Sequence, residues 1–310
     1  MIAFVFPGQG SQTVGMGRAL ADQHRVCRDT FAEADAALGR SLSRLCFEGP
    51  DDQLVLTENT QPALLATSIA MYRLLRELGL EPDLVAGHSL GEYSAYVAAG
   101  TLEFSDALRI VERRGRYMQE AVPVGSGGMA AVLGLDAEQV RLACEEAAEG
   151  EVVSPANLNA PGQVVIAGMA GAVARAGARA KVHGARRVIP LQVSAPFHCA
   201  LMAPAQAQLE PELRSLDARR PAVPVIANVD AMPKRDAAAA IDALVAQVSR
   251  PVLWEACVRR LASEGVRTYV EVGPGNVLSG LVKKIHHEAH VYNVEHHLGH
   301  AAMEALFPVS

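Results

Sequence analysis

No Cys-x-x-Cys pair occurs in the 310 residues, and the five cysteines, Cys27, Cys46, Cys144, Cys199 and Cys257, are widely spaced. That argues against a cysteine zinc site and fits reduced thiols in a reducing compartment. Apolar runs of membrane-spanning length are also missing, and the first run, Ile2 to Phe6, is cut by Pro7 and Gly8 with no basic stretch before it. No signal peptide and no membrane span is expected, and the chain reads as cytoplasmic. Positive charge is scarce: 28 Lys and Arg stand against 34 Asp and Glu, a net charge of -6, which argues against coating nucleic acid or an anionic membrane. A lysine-bearing phosphate loop is absent, and the glycine turn at Gly8 and Gly10 puts Thr13 where a dinucleotide fingerprint needs its third glycine. Nucleotide binding is set aside on that spacing.

What is present is a globular composition, 50% hydrophobic and 20% charged, in a chain long enough for one large domain or two small ones. Ile2 to Phe6 and Asp83 to Gly87 are short apolar runs ended by proline or glycine, the pattern of buried parallel strands. Helical periodicity fills Ala63 to Leu78, Leu90 to Ala99 and Ser105 to Ala121. Beyond Gly125 to Gly128 the order becomes strand, helix, strand, strand, helix, strand over Met129 to Leu191, the ferredoxin-like βαββαβ motif. Alternation then resumes, with a helix over Leu201 to Leu216, a strand over Val223 to Val229, helices over Ala237 to Val248 and Val252 to Glu264, a strand over Tyr269 to Val272 and a helix over Asn276 to Ile285. The expected class is α/β, with a parallel-sheet large subdomain of residues 1–124 and 194–310 and an inserted ferredoxin-like small subdomain, 125–193.

Along Ser105 to Ala121, Arg109, Arg113, Arg116 and Glu120 fall on the polar face, whereas Arg114 falls on the stripe of Ala107, Ile110, Val111 and Met118. A guanidinium there must snorkel out or meet an anion, because an unpaired buried charge costs several kcal/mol.

Gly87-His88-Ser89-Leu90-Gly91 matches the nucleophile elbow Gly-x-Ser-x-Gly and sits between a strand and a helix, as that turn requires. With it the core reads as α/β-hydrolase-like; a serine that merely caps a helix is the plainer alternative. The backbone N–H of Leu90 lies beside Ser89, ready for a developing oxyanion, and the glycine-flanked N–H of Gln9 is placed to supply a second donor. Serine needs a base, usually histidine. Of ten histidines, His286, His287, His290, His296, His297 and His300 cluster near the C-terminus, where a solvated tract is the reading and a metal site the lesser alternative. His24 lies in a polar stretch and His183 ends a helix, so His198, at the subdomain boundary just before a helix, is the best-placed base.

These stretches resemble, end to end, the malonyl-CoA:acyl carrier protein transacylases of type II fatty acid synthesis, a family that shares its acyltransferase with polyketide synthases. The resemblance runs through Phe6-Pro-Gly-Gln-Gly-Ser-Gln-Thr-Val-Gly-Met16, Thr60-Gln-Pro-Ala-Leu64, Gly87 to Ser94, Arg114-Gly115, Gly162 to Gly168, Phe197-His198 and Glu271-Val-Gly-Pro-Gly275. It implies a malonyl ester on Ser89, His198 as its base, an oxyanion hole from the N–H groups of Gln9 and Leu90, and Arg114 holding the malonyl carboxylate. Periodicity and resemblance therefore meet at Arg114. A main-chain carbonyl close to Gln247 is implied to orient the histidine, and Asn157 and Asn159 to line the pocket, with a structural role as their alternative. Phe197 departs from the small residue common before the histidine and resembles the malonyl-selective polyketide pattern; its ring would crowd an α-methyl branch unless it simply packs the core.

The implied substrates are malonyl-CoA and the phosphopantetheine thiol of acyl carrier protein, with no metal or redox cofactor and a monomer as the working form. A discrete acyltransferase serving a polyketide synthase or a malonate decarboxylase is the neighbouring alternative, and a serine esterase a remote one. Both CoA and carrier proteins are acidic, so basic residues must be unevenly placed; Arg186, Arg187, Lys283 and Lys284 are expected as a positive rim at the cleft.

Overall fold

The computed structural model of the chain describes residues 1–193 and 195–297, the last two by their backbone alone. Ser194, where one boundary is expected, and His300 lie outside the described residues, as do the side chains of His296 and His297. In chain order the strands are β1 (Ile2–Phe6), β2 (Leu84–Gly87), β3 (Gly127–Leu133), β4 (Val153–Ala160), β5 (Gln163–Met169), β6 (Arg187–Pro190), β7 (Val225–Ile226), β8 (Pro233–Lys234), β9 (Thr268–Glu271) and β10 (His290–Asn293). The protein is α/β, with one mainly parallel six-stranded sheet and a separate antiparallel four-stranded sheet.

Alternation along β1 explains the layering of the larger sheet. Phe4 and Phe6 join one hydrophobic cluster and Ala3 and Val5 another, so both faces are covered and an unbroken apolar run is what the strand needs. The order is β10-β9-β1-β2-β7-β8, parallel except for the last pair. The smaller sheet runs β4-β5-β3-β6 with every neighbour antiparallel. One of its faces, with Val132 and Ile166, packs on helices Ala137–Ala147 and Ala170–Val182; from its other face Met129, Val165 and Ala167 join the main core. A second link is a parallel backbone bridge: Val252 N–H donates to Ala156 O at 2.8 Å and Leu158 N–H to Val252 O at 2.9 Å, joining β4 to the large sheet's connecting segment.

Three differences from the sequence expectation have local causes. The strand expected over Val223 to Val229 shrinks to Val225–Ile226, because the N–H of Asn228 turns to the Glu92 carboxylate at 3.1 Å instead of a ladder. The helix expected from Ala63 begins at Thr57, and its polar opening is buried, with Thr60 and Gln61 facing inward. The sequence expectation places no element over 18–54 or at β10, although Cys27, Thr30, Phe31 and Ala34 repeat at helical spacing and are buried in helix Arg25–Leu38. Among the described residues no helix is long and apolar enough to cross a membrane. All five cysteines are buried free thiols.

The elbow glycines are needed for close approach. A Cβ on Gly87 would lie 1.9 Å from the Gly91 carbonyl, and one on Gly91 would lie 2.0 Å from Phe6 O. Gly280, in helix Val277–Ile285, has open space around its Cβ position. Thermal melts should therefore separate two alanine variants: Gly91→Ala loses about 3 kcal/mol or more, while Gly280→Ala gains about 0.5–1 kcal/mol. A Gly91→Ala variant as stable as the parent would sink the close-packing account.

Candidate active site

Ser89 stands between β2 and helix Leu90–Ala98 with φ 52° and ψ -108°, a left-handed backbone that serine rarely adopts. The strain falls on the serine itself, and the flanking glycines serve the crowded turn around it. Asn228 holds the turn from both sides: its Oδ1 accepts the Ser89 N–H at 2.8 Å, and its Nδ2 donates to Gly87 O at 2.7 Å.

His198 also has positive φ, 60°, and is 3% exposed. Its Nε2 lies 2.6 Å from Ser89 Oγ and its Nδ1 3.0 Å from the main-chain oxygen of Gln247. A carbonyl only accepts, so the proton sits on Nδ1 and Nε2 is the free lone pair facing the hydroxyl. Burial, and then the nearby Arg114 charge, lower the His198 pKa to about 3, so the imidazole is neutral and able to take a proton.

Arg114, 2% exposed, does not snorkel. Its Nη1 donates to Gln61 Oε1 at 2.7 Å, and its Nη2 to Gln247 Oε1 at 2.9 Å and Ser89 Oγ at 3.2 Å. The guanidinium also lies over the Tyr93 ring, 5.4 Å from its centre. All these partners are neutral, and among the described residues no carboxylate forms an ion pair with it. The charge is therefore held by neutral hydrogen-bond partners, with the buried Glu92 carboxyl favouring it without touching it.

A cavity of about 120 Å³ opens onto these three groups. Gln9 and Leu90 line it from the loop after β1 and the first helical turn, Phe197 and Asn157 line it as expected, and Met118, Met129, Leu191 and Val193 make it largely apolar. Asn159 does not line it. Its Oδ1 sits 2.8 Å from His88 Nε2, so it works one layer back, steadying the ring next to the nucleophile. The four basic residues expected at the rim are also displaced: Arg187 pairs with Leu133, and Lys284 donates to Gln163 Oε1 at 3.0 Å. Arg186, Arg187 and Lys284 gather at the Leu133 end of the small sheet, whereas the cavity meets the Met129 end, four residues or about 13 Å along β3. A larger cavity, about 510 Å³, lies elsewhere; its Arg73, Arg76 and Arg219 are each paired to a glutamate, Glu33, Glu81 and Glu103. It contains no nucleophile beside a base. Among the described residues no group of three or more His, Cys, Asp or Glu is placed to hold a metal ion.

Gln61, Asn228 and Glu92 complete the site and were not singled out by sequence reasoning. Gln61 lies inside the Thr60-Gln-Pro motif and Glu92 follows the elbow, but Asn228 carries no local signal at all.

A serine on a strained strand-to-helix turn, based by a buried histidine beside an apolar cavity, has the geometry of acyl-transfer enzymes. The chain belongs to the acyl transferase family: residues 3–304 match the model of the acyl transferase domain. Within it, the chain is similar to proteins named malonyl CoA-acyl carrier protein transacylase. That of Escherichia coli K12 is 55% identical over 284 residues, 91% of this chain and 92% of the relative, and that of Bacillus subtilis 51% identical over 285 residues, 92% and 90%. A solved acyl carrier protein S-malonyltransferase from Vibrio cholerae superposes with a TM-score of 0.95 at 49% identity, covering 98% of this chain and 99% of the other. A type II polyketide synthase acyl-carrier protein solved in complex with its malonyl-transacylase matches with a TM-score of 0.95 at 48% identity, covering 98% of both chains.

The buried Glu92 gives the site a pH signature. Desolvation raises its carboxyl from 4.5 to about 7, against the hydrogen bonds from Gln247 and Asn228 and the Lys234 charge, with Asp230 adding to the rise. A raised carboxyl pKa makes its contribution to stability complete below the unfolded value and lost as pH climbs through 7. Glu92→Gln removes this dependence, so between pH 4.5 and 8 the variant should gain on the wild type by on the order of 3 kcal/mol in chemical denaturation. Parallel stability curves across that range would disprove the shift.

Proposed function

We propose that the chain transfers the malonyl group of malonyl-CoA to the phosphopantetheine thiol of an acyl carrier protein through a malonyl ester on Ser89. The observation that carries this reading is the convergence on Ser89 Oγ of a neutral histidine at 2.6 Å and, at 3.2 Å, a guanidinium that makes no ion pair among the described residues. The high identity to the transacylases supports it. The large subdomain, 1–124 and 194–310, is α/β-hydrolase-like in this reading and the small one, 125–193, ferredoxin-like, which the antiparallel order β4-β5-β3-β6 supports. The enzyme works as a cytoplasmic monomer, and the steps need no cofactor.

Malonyl-CoA enters with its free carboxylate on Arg114, where a planar guanidinium makes two parallel hydrogen bonds that a neutral acetyl group does not offer. The carboxylate cancels part of the positive field that depresses His198, so binding the right substrate makes the base stronger. His198 Nε2 takes the Ser89 proton as Oγ attacks the thioester carbon. The N–H groups of Gln9 and Leu90 receive the oxyanion. Collapse expels the CoA sulfur, which leaves with the proton held on Nε2. The carrier's thiol then gives its proton to Nε2, attacks the serine ester and departs as malonyl thioester, and Ser89 recovers its proton. The apolar lining from Met118, Met129, Leu191 and Val193 limits water that would otherwise hydrolyse the ester.

Intact-mass spectra after incubation with malonyl-CoA should show one added malonyl group on the wild type and none on Ser89→Ala; an unmodified wild type would sink the reading. Arg114→Ala should cut malonyl transfer by about 100-fold or more while raising the acetyl-to-malonyl ratio. Malonyl transfer that survives the change would remove Arg114 from the carboxylate site.

A further inference from the structure

Glu92 takes no part in those steps, yet its side chain is wholly buried beneath the elbow. Oε2 accepts from the Asn228 N–H at 3.1 Å and from Gln247 Nε2 at 2.9 Å, while Oε1 has no hydrogen-bond partner among the described residues. Both donors belong to residues that hold the reacting groups. Asn228 holds the Gly87 carbonyl and the Ser89 N–H of the serine turn. Gln247 holds His198 Nδ1 through its main-chain oxygen, donates from Nε2 to Ser89 O at 2.9 Å, and accepts from Arg114 at Oε1.

A primary amide fits its space in two orientations half a turn apart, and hydrogen bonding decides between them. Oε2 and Ser89 O both accept, so they select the orientation with the Gln247 NH₂ toward the elbow and its oxygen toward Arg114. The opposite orientation would aim NH₂ at the guanidinium, donor against donor.

We propose that Glu92 is a positioning residue for acyl-group selectivity: by accepting from Gln247 Nε2 it turns the amide oxygen to Arg114 and holds the guanidinium where a malonyl carboxylate meets it. What Glu92 supplies is an acceptor at a fixed point, not a charge. A glutamine at this position can place its own oxygen there and its NH₂ on the side that lacks a partner. Folding support alone would not discriminate between acyl groups, whereas this role does. The inference rests on the malonyl reading, so its experiment carries a separate control.

The experiment compares the full chain with Glu92→Gln, Glu92→Met, Gln247→Met and the double variant Glu92→Met with Gln247→Met. Transfer to acyl carrier protein is measured as kcat/KM for malonyl-CoA and for acetyl-CoA, and wild-type acylation by malonyl-CoA is followed by mass. Glu92→Gln should keep the wild-type malonyl-to-acetyl ratio. Glu92→Met should lower that ratio by roughly tenfold, mainly through the malonyl KM, and should lower it no further when Gln247 is already Met. An equal fall for both acyl groups in Glu92→Met, or a Gln variant that behaves like the Met variant, overturns the inference. If the Met variant does not fold, Glu92→Ala is read by the same two outcomes. A wild type that malonyl-CoA does not acylate overturns the function itself, whatever the variants do.

Discussion

A buried positive charge whose hydrogen-bond partners are all neutral is the constraint around which the site is built. Arg114 would be destabilising in an apolar core, and the oxygens of Gln61 and Gln247 with the face of Tyr93 offset part of that cost. Each partner in turn dictates a piece of fold. Gln61 must be delivered by a helix whose polar start is turned inward, and Gln247 must close helix Ala237–Gln247 at the elbow. Burial depresses His198 and the same charge adds to it, so the guanidinium that prepares the place for an anion also helps to keep the base neutral.

Two residues of the site, Ser89 and His198, occupy left-handed backbone that costs about 1–3 kcal/mol each. Such conformations persist only where the surroundings over-determine them. Asn228 bonds to the serine N–H and to the Gly87 carbonyl before it, and Gln247 bonds to the serine carbonyl, the histidine ring and the arginine together. The strain is thus held by hydrogen bonds to the backbone of the nucleophile itself, and the glycines at 87 and 91 let the turn pack closely enough for them.

Much of this was legible from the chain alone, for different reasons. β1 and β2 showed themselves because strands covered on both faces need unbroken apolar runs, and the elbow because the turn leaves only glycine on either side of x-Ser-x. Arg114 was visible as an arginine out of phase with its helix. The main-chain oxygen of Gln247 was reached by resemblance only, since nothing in local spacing links it to His198 across 49 residues. Asn228 and the truncation of β7 stayed hidden, because both depend on a carboxylate 136 residues away. Asn159 illustrates the opposite error: named as a pocket residue by resemblance, it lies on β4 but meets His88 and does not line the cavity, a difference of direction that alternation along an irregular strand does not settle.

The paired bonds between Val252 and the β4 backbone set how the two sheets can move against each other. Val252 is five residues from Gln247, with Pro251 stiffening the span, so the flank that closes the pocket is geared to the carbonyl that aims the histidine. A rotation of the smaller sheet that leaves this seam intact must pivot about it.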